Sequence, residues 1–300
     1  MVVRSGIKSV EVELPDGSVV KAVVRGKFRL LSFRTTSPVA VGDIVHLRLV
    51  DDGTGVIERI EDRKNYIVRK WPHRRHTYQI LASNIDQAIL IATLVKPKTS
   101  TGFIDRFLIA TESQHIPTLI FFNKYDLYED KEKEMLEELR KAYTNAGYTV
   151  LHGSLTDGST IERIREIVKG KKTLLSGHSG VGKSTLINAL VPNANVKTQE
   201  VSEYTGKGKH TTTYSRMYKL PEGGYLIDTP GIKEFDVPGL TKRNLRDLYP
   251  EFRQVQNECR YNDCLHVNEP DCAVREAVEK GQIPLFRYQN YIRILNTLPN

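Results

Sequence analysis

Residues 177–184, GHSGVGKS, constrain the fold of this chain more than any other part of its sequence. They fit the pattern G-x-x-x-x-G-K-[ST] without a mismatch, between the strand-like KKTLLS and the helix-like KSTLINAL. The glycines of such a loop let backbone N–H groups wrap closely around phosphates at the positive end of the following helix. The pattern therefore predicts an α/β domain that binds a nucleotide through its phosphates.

The side chains of this loop have separate predicted roles. Lys183 should reach the β- and γ-phosphates, and the hydroxyl of Ser184 should bind Mg²⁺. The next residue, Thr185, should steady the α-phosphate. The predicted phosphate-binding residues are Gly177, His178, Ser179, Gly180, Val181, Gly182, Lys183, Ser184 and Thr185.

A second motif predicts which base is bound. Asn123, Lys124, Tyr125 and Asp126 follow an apolar run, and Asp126 can accept from N1–H and the 2-amino group of guanine. Adenine offers no donor at either position, so that carboxylate would stay unpaired. Asn123 can meet N7, and the Lys124 stem can cover the base. At Ser154 a backbone N–H could meet guanine O6, although an ordinary turn before a helix fits equally well.

Two further segments predict parts that respond to the γ-phosphate. In the DTPG run at 228–231, Asp228 should hold the Mg²⁺ shell through water, and the Gly231 N–H should bond the γ-phosphate. Residues 206–213, GKGKHTTT, are polar and basic, and we favour Thr212 over its neighbours as the second Mg²⁺ ligand. Residues 192–210 form a long, poorly periodic stretch, as a mobile switch should.

The catalytic group cannot be the glutamine that Ras-type enzymes place after D-x-x-G, because this chain has Ile232 there. His210 precedes the switch threonines and could polarise the attacking water. The competing interpretation is a surface histidine that contacts RNA or solvent. We predict His210 as the catalytic residue.

The remaining pattern predicts a multidomain chain. Residues 1–68 contain short alternating runs typical of a five-stranded OB-like β-barrel, although an SH3-like barrel would give a similar pattern. Residues 69–237 alternate apolar strands with helices, as in a P-loop α/β domain. Residues 238–300 are mainly helical and charged. Strands are predicted at 9–14, 19–24, 43–49, 88–95, 117–122, 148–152, 172–175, 214–219 and 225–227, and helices at 104–112, 131–146, 159–168 and 183–190.

The net charge and the composition indicate which kinds of partner this protein can bind. The formal net charge is +8, which attracts polyanions such as RNA, although many basic proteins bind none. Residues 63–78, RKNYIVRKWPHRRHTY, contain no acid and mix basic groups with rings, which favours contact with single-stranded RNA or an interdomain linker whose rings pack inward. No apolar run is long enough to cross a membrane and no secretory leader is evident, so we expect a cytoplasmic protein. No dimer seam is recognisable in the sequence, so we expect a monomer.

All three cysteines lie close together near the C-terminal end of the sequence. The pattern Cys259-x₄-Cys264-x-His266-x₅-Cys272 supplies three thiolates and one imidazole, a tetrahedral set for one structural Zn²⁺. Free or buried thiols are the alternative. A segment this small buries little core, so it should need the metal to fold.

The order of the motifs is unusual, because the guanine-reading motif precedes the phosphate loop. A circular permutation preserves the site if the old ends can be joined. The chain then leaves the nucleotide domain just after Gly231, so the cysteine-bearing segment follows directly on the second switch.

This order, with a barrel before it and cysteines after it, resembles that of the RsgA (YjeQ/YloQ) family over essentially the whole chain. The resemblance rests on ASNIDQ at 82–87, NKYD, GHSGVGKST, KHTTT and DTPGI. It implies GTP hydrolysis stimulated by the small ribosomal subunit, rRNA contacts near the decoding region and a role in late subunit maturation. It also implies a catalytic His210, preceded here by Lys209 instead of the family's arginine, and a zinc site with this ligand pattern.

Two other functions fit some of these features. A P-loop kinase could use GTP on a small molecule, but no acceptor-binding motif is recognisable and the long switch disfavours it. A GTP-gated RNA-binding module, in which hydrolysis is incidental, would carry the same nucleotide motifs.

Overall fold

The computed structural model describes residues 1–6, 10–24, 34–50, 53–71, 77–197, 215–229 and 235–299. Within these ranges the chain forms fourteen strands and eight α-helices. The strands are β1 (Val2–Ser5), β2 (Val10–Glu13), β3 (Val19–Val24), β4 (Arg34–Thr35), β5 (Val45–Leu49), β6 (Gly55–Ile60), β7 (Tyr66–Lys70), β8 (Thr77–Ser83), β9 (Gln87–Ala92), β10 (Thr118–Phe122), β11 (Thr149–His152), β12 (Lys172–Ser176), β13 (Arg216–Lys219) and β14 (Tyr225–Asp228). The helices are α1 (Thr101–Glu112), α2 (Asp130–Asn145), α3 (Gly158–Val168), α4 (Lys183–Leu190), α5 (Lys242–Leu245), α6 (Pro250–Arg253), α7 (Ala273–Glu279) and α8 (Leu285–Leu295).

The N-terminal strands form a barrel-like sheet in the order β1-β2-β3-β6-β5. All neighbours are antiparallel except β3 and β6, which run parallel. One parallel pair in a five-stranded Greek-key order is typical of an OB barrel and not of an SH3-like one, so the OB-like prediction is confirmed. Val2 helps to close the barrel. Its N–H donates to the Asp43 carbonyl and its own carbonyl accepts from the Gly42 N–H, both at 2.9 Å. Apolar side chains, Val2, Val10, Val12, Ala22, Ile57 and Ile60, fill the interior.

The central sheet has the order β11-β10-β9-β12-β14-β13, with only β13 antiparallel to its neighbour within it. Its strands are apolar on both faces because helices cover both. Leu90 of β9 packs in the cluster that includes α1 and α2, whereas Ile89 and Ile91 pack in the cluster that includes α3 and α4. This is the predicted α/β domain, and β1 pairs with β13, so barrel and central strands form one eleven-stranded sheet among the described residues.

The basic, aromatic segment contributes to two paired strands, β7 and β8, that the sequence patterns did not predict. β7 and β8 pair antiparallel, and β4 joins them in a three-stranded sheet. Arg63 is nearly buried and donates from Nε and Nη2 to the two carboxylate oxygens of Asp43, each at 2.7 Å. Tyr66 and Tyr78 pack on Ala40, Val68 and Ile80. The two tyrosine rings therefore pack inward within a sheet and not in a linker, while Arg74 and Arg75 lie outside the described residues.

The C-terminal helices are fixed to the central domain by a buried ionic network. Arg287 of α8 donates to Asp105 of α1 at 2.6 Å and, through Nε and Nη2, to both carboxylate oxygens of Glu251 at 2.6 and 3.0 Å. Asn290 and Tyr143 also donate to Asp105, at 2.7 and 2.8 Å. The Arg287 and Asp105 side chains are 1% and 0% exposed. The network therefore joins α1 and α2 to α6 and α8 without contact with water.

The helices are short compared with a membrane span. None that the structure describes is both long and apolar enough to cross a bilayer.

Candidate nucleotide and metal sites

The predicted motifs meet at one edge of the central sheet. Asn123 follows β10, Ser154 lies just beyond β11, Gly177 follows β12 and Asp228 ends β14. The carboxyl ends of parallel strands share an edge, and ligands bind there where the strand order reverses. That point lies between β9 and β12, because the chain proceeds from β9 outward to β10 and β11 and then returns to β12. The motifs therefore assemble one site despite their permuted order.

Two glycines let the phosphate loop turn tightly beside β9 and β10. Gly177 has φ +146°, and a β-carbon there would overlap the Ile91 carbonyl oxygen. Gly182 has φ +114°, and a β-carbon there would overlap the side-chain amide of Asn123. α4 begins at the next residue, so its positive end faces the loop. This is the strand–loop–helix setting that the motif requires.

Lys183 and Asp228 form the electrostatic centre of the loop. The Lys183 ammonium donates to the carbonyls of Gly177 and His178, at 2.6 and 2.7 Å. Burial lowers the pKa of Lys183 to about 8, although the charge of Asp228 opposes this shift. Burial likewise raises the pKa of Asp228 to about 6, against the charge of Lys183. A polyanion bound in the loop would stabilise the charged lysine.

An unpaired acceptor marks where a hard cation fits. The Asp228 Oδ1 atom is buried and has no hydrogen-bond partner among the described residues, and neither has the neighbouring Ser176 hydroxyl. Buried polar atoms are rarely left unpaired, so each needs an explanation. A hydrated Mg²⁺ supplies one, because it binds carboxylate and hydroxyl oxygens and retains waters. Ser184 is half-buried at the start of α4, and these donors fit Mg²⁺.

Asn123 holds three loops together. Its amide nitrogen donates to the Val181 carbonyl of the phosphate loop at 2.7 Å, and its side-chain oxygen accepts from the Leu155 N–H at 3.1 Å. Its own carbonyl accepts from the Tyr128 hydroxyl at 3.0 Å. The sequence predicted a base contact for this residue but not the cross-linking, which depends on the fold. One amide proton of Asn123 remains for guanine N7.

The other residues predicted to read the base lie on the loops that follow β10 and β11. Lys124 has φ +63°, and its ammonium donates to the Lys96 carbonyl at 2.5 Å. The Tyr125 ring packs on His152 at 4.7 Å between centroids, and Asp126 is exposed in the 3₁₀ helix Tyr125–Leu127. The Ser154 hydroxyl lies 2.7 Å from that of Thr156. The Leu155 N–H donates to Asn123, and the contact of a backbone N–H of this turn with guanine O6 stays a prediction.

The middle of the phosphate loop contacts α1. The His178 ring lies 3.9 Å from that of Phe103 between centroids, and burial lowers the pKa of His178. Ser179 is exposed, and Gly180 lies beside Pro97. Phe235, just beyond the DTPG run, packs on Phe103 at 5.8 Å. Neither aromatic was singled out in the sequence, because an apolar residue carries no local signal of the distant residues that it will contact.

Three predicted site residues cannot be placed. His210, Thr212 and Gly231 lie outside the described residues. Their roles as catalyst, Mg²⁺ ligand and γ-phosphate sensor stay predictions.

The cysteine cluster forms a compact donor set. Cys259, Cys264, His266 and Cys272 are all buried, and their ligand atoms lie within 4.8 Å of one another. Sγ of Cys259 is 4.0 Å from Sγ of Cys272, and the His266 Nδ1 lies 3.6 and 3.4 Å from these two sulfurs. A tetrahedral Zn²⁺ with Zn–S of about 2.3 Å requires ligand separations of roughly 3.6–3.8 Å. The geometry therefore fits a four-coordinate metal ion.

Burial decides the protonation of the histidine and the thiols in this cluster. Burial lowers the pKa of His266 to about 4, so the imidazole is neutral, as a ligand must be. Burial raises the pKa of Cys264 to about 12 and that of Cys272 in the same direction. The three cysteines are free and buried, and a metal ion bound here would have to replace the protons of their thiols. Glu269 fixes the loop by accepting from the N–H groups of Leu265, Val267 and Asn268.

Fold and site together define a P-loop GTPase whose guanine-reading half precedes its phosphate-binding half. Residues 60–238 match the model of the RsgA GTPase family. The chain is 47% identical over 285 residues to the Small ribosomal subunit biogenesis GTPase RsgA of Bacteroides fragilis, covering 95% of this chain and 92% of that protein. It is 44% identical over 286 residues to the protein of the same name from Flavobacterium psychrophilum, covering 93% and 87%.

Solved structures agree with this assignment. YjeQ from Thermotoga maritima superposes with a TM-score of 0.76 at 35% identity, covering 99% of this chain and 97% of that one. YloQ, described as a circularly permuted GTPase, superposes with a TM-score of 0.71 at 28% identity, covering 99% and 93%. The chain belongs to the RsgA GTPase family.

Proposed function

We propose that this protein binds the small ribosomal subunit, acts in its late maturation and hydrolyses GTP faster when bound to it. The observation that carries the proposal is the guanine and phosphate site cross-linked by Asn123, in a chain 47% identical to a protein named for small-subunit biogenesis. Its partners are then GTP, GDP and the rRNA of that subunit. We also propose a cytoplasmic monomer with three parts, at 1–68, 69–237 and 238–300.

The proposed mechanism assigns one task to each part of the site. Asp126 reads the guanine edge, Asn123 meets N7 and Lys124 covers the base. The phosphate loop and Lys183 hold the β- and γ-phosphates. Mg²⁺, when bound, neutralises phosphate charge, and Ser184, Thr212 and a water on Asp228 would hold it. Gly231 senses the γ-phosphate through its N–H.

Turnover by the free protein should be slow. Ile232 stands where a glutamine would orient the water, so that task falls to His210 in the first switch. A long switch is ordered only when a partner or nucleotide supplies contacts. Binding to the subunit would supply them and complete the site.

The proposal is tested by GTP turnover with and without purified small subunits. We expect acceleration of at least tenfold at saturating subunits. A P-loop kinase would instead transfer phosphate to an added small molecule, and a gated RNA-binding module would bind subunits without acceleration. Turnover that ignores the subunits contradicts the proposal.

Replacing His210 with alanine should retain GTP binding and abolish stimulated turnover. General-base or water-polarising groups contribute about 10²–10⁴-fold, so we expect a loss in that range. The matched control is His115→Asn, because His115 is exposed at the opposite edge of the sheet and has φ +53°, which asparagine tolerates. Stimulated turnover that survives in His210→Ala removes this residue as the catalyst.

We propose one structural Zn²⁺ held by Cys259, Cys264, His266 and Cys272. Elemental analysis of purified protein should find about one zinc per chain, and Cys264→Ser should lower that content. Chelation should melt the C-terminal helices first, since binding free energy of such sites is folding free energy. Protein that is fully folded and free of metal would rule the zinc site out.

A further inference from the structure

A row of charged residues crosses the junction between the barrel and the nucleotide-binding sheet. Directly paired positions carry Asp228 on β14, Arg216 on β13, Arg4 on β1, Glu11 on β2 and Lys21 on β3. Side chains at directly opposite positions share a face of the sheet. The two arginines therefore stand side by side, next to the strand that ends in the nucleotide site.

A β-bulge puts Arg4 on this face. Val2 pairs with Val12, but Arg4 pairs with Glu11, so one extra residue lies on β1 between the two pairs. Val2 remains in the barrel core while Arg4 is exposed, although strict alternation would turn both the same way. Bulges re-aim side chains and are common next to functional sites. Here the bulge places two like charges at directly paired positions.

The two positive charges are poorly compensated. Arg4 is 52% exposed and pairs with Glu11 at 3.0 Å, which contributes little at such exposure. Arg216 is exposed and forms no ion pair within the described part of the chain. Like charges directly opposite each other on paired strands destabilise a sheet. Each arginine also lies opposite a carboxylate on its other side, Glu11 for Arg4 and Asp228 for Arg216, but an anion bound between the two guanidinium groups would relieve their mutual repulsion.

An aromatic ring completes the surface. The Arg216 guanidinium lies over the Tyr218 ring, 5.0 Å from its centroid. Tyr218 is half-buried, and burial together with the charge of Asp228 raises its pKa. The charges of Arg216 and Arg4 oppose this shift, so both arginines lie close enough to act on the ring. Guanidinium groups match phosphate oxygens in shape, and a flat ring beside them suits a base or ribose.

We infer that Arg4, Arg216 and Tyr218 form a contact surface for the phosphate backbone of RNA. The inference rests on the proposed function, because the RNA would be that of the small ribosomal subunit. Arg216 closely follows the predicted first switch and lies opposite Asp228, so RNA held here would lie beside the part of the protein that responds to GTP. The barrel and the nucleotide domain contribute one arginine each.

The test uses Arg4→Gln, Arg216→Gln and the double variant of the full chain. Binding to purified small subunits and to their protein-free rRNA is measured over a range of salt concentrations. We expect the double variant to bind about tenfold more weakly. A plot of log binding constant against log salt concentration should also be less steep by about 1.4–1.8, because two phosphate contacts are lost. The melting temperature should stay equal or rise, because the repulsion is removed. Arg140→Gln, which removes an exposed arginine paired with Glu137 on α2, is the matched control.

Each contrary outcome has a distinct meaning. Unchanged affinity and slope in the double variant, with normal binding by the wild type, overturn this inference alone. Weaker binding to subunits with unchanged binding to rRNA indicates a ribosomal protein as the partner and also overturns it. A fall in melting temperature well beyond that of the control assigns the arginines a structural role. Wild-type protein that neither binds subunits nor responds to them overturns the proposed function itself.

Discussion

Replacing Asp126 with asparagine should change the preferred nucleotide from GTP to XTP. The carboxylate accepts from N1–H and the 2-amino group of guanine, whereas an asparagine amide can donate to the 2-oxygen of xanthine. Loss of a paired charge in such a site costs several kcal/mol, so GTP affinity should fall on the order of a thousandfold. The 3₁₀ helix that holds Asp126 is anchored by Asn123 and Tyr128, so the backbone should not move.

The measurement is competition of GTP, XTP and ATP for the purified variant. Asp130→Asn is the matched control, because the Asp130 side chain is 99% exposed at the start of the next helix and contacts no nucleotide motif. The control should bind as the wild type does. An unchanged ranking of the three nucleotides in Asp126→Asn would refute the base-reading role.

Replacing Arg287 with alanine should destabilise the protein by about 3–5 kcal/mol, because it leaves Asp105 and Glu251 buried without their cation. Burial already raises the pKa of Asp105 with Arg287 beside it. Without the arginine, Asp105 should take up a proton to avoid an unpaired charge. The destabilisation should therefore shrink as the pH is lowered, since a protonated carboxyl has no charge to bury.

Urea unfolding of Arg287→Ala at several pH values measures this effect. The control is Arg140→Ala, whose ion pair with Glu137 is exposed and should contribute little to stability. Limited proteolysis should also cut Arg287→Ala between the central domain and the C-terminal helices. A variant as stable as the control would show that the network contributes nothing beyond packing.

The central domain could be predicted from sequence because its signals are local. The apolar runs at 117–122 and 148–152 correspond to β10 and β11, and the helix predicted at 183–190 is α4. Parallel strands buried on both faces give continuous apolar runs, which are easily recognised. The motif residues follow these strands, so their meeting at one edge also followed from the sequence.

Long-range pairings could not be predicted in this way. β7 and β8 lie in a basic, aromatic segment whose strand character depends on pairing with each other and with β4. The burial of Arg287 has no sequence signal, because its two acidic partners lie 182 and 36 residues away. The cross-link by Asn123 likewise depends on three loops that only the fold brings together. Such contacts depend on where distant segments pack, not on local periodicity.

The order of the strands has a consequence for synthesis of the chain. Three neighbouring strands of the sheet are made first, namely β9, β10 and β11, with α1 and α2 between them in sequence. They can assemble as soon as they leave the ribosome. One edge of β9 then stays uncovered until β12 is made, and β12 in turn waits for β14. The half predicted to read the base is therefore synthesised before the half predicted to hold the phosphates. GTP can stabilise the nascent protein only after both are present, which makes the nucleotide a late ligand in folding.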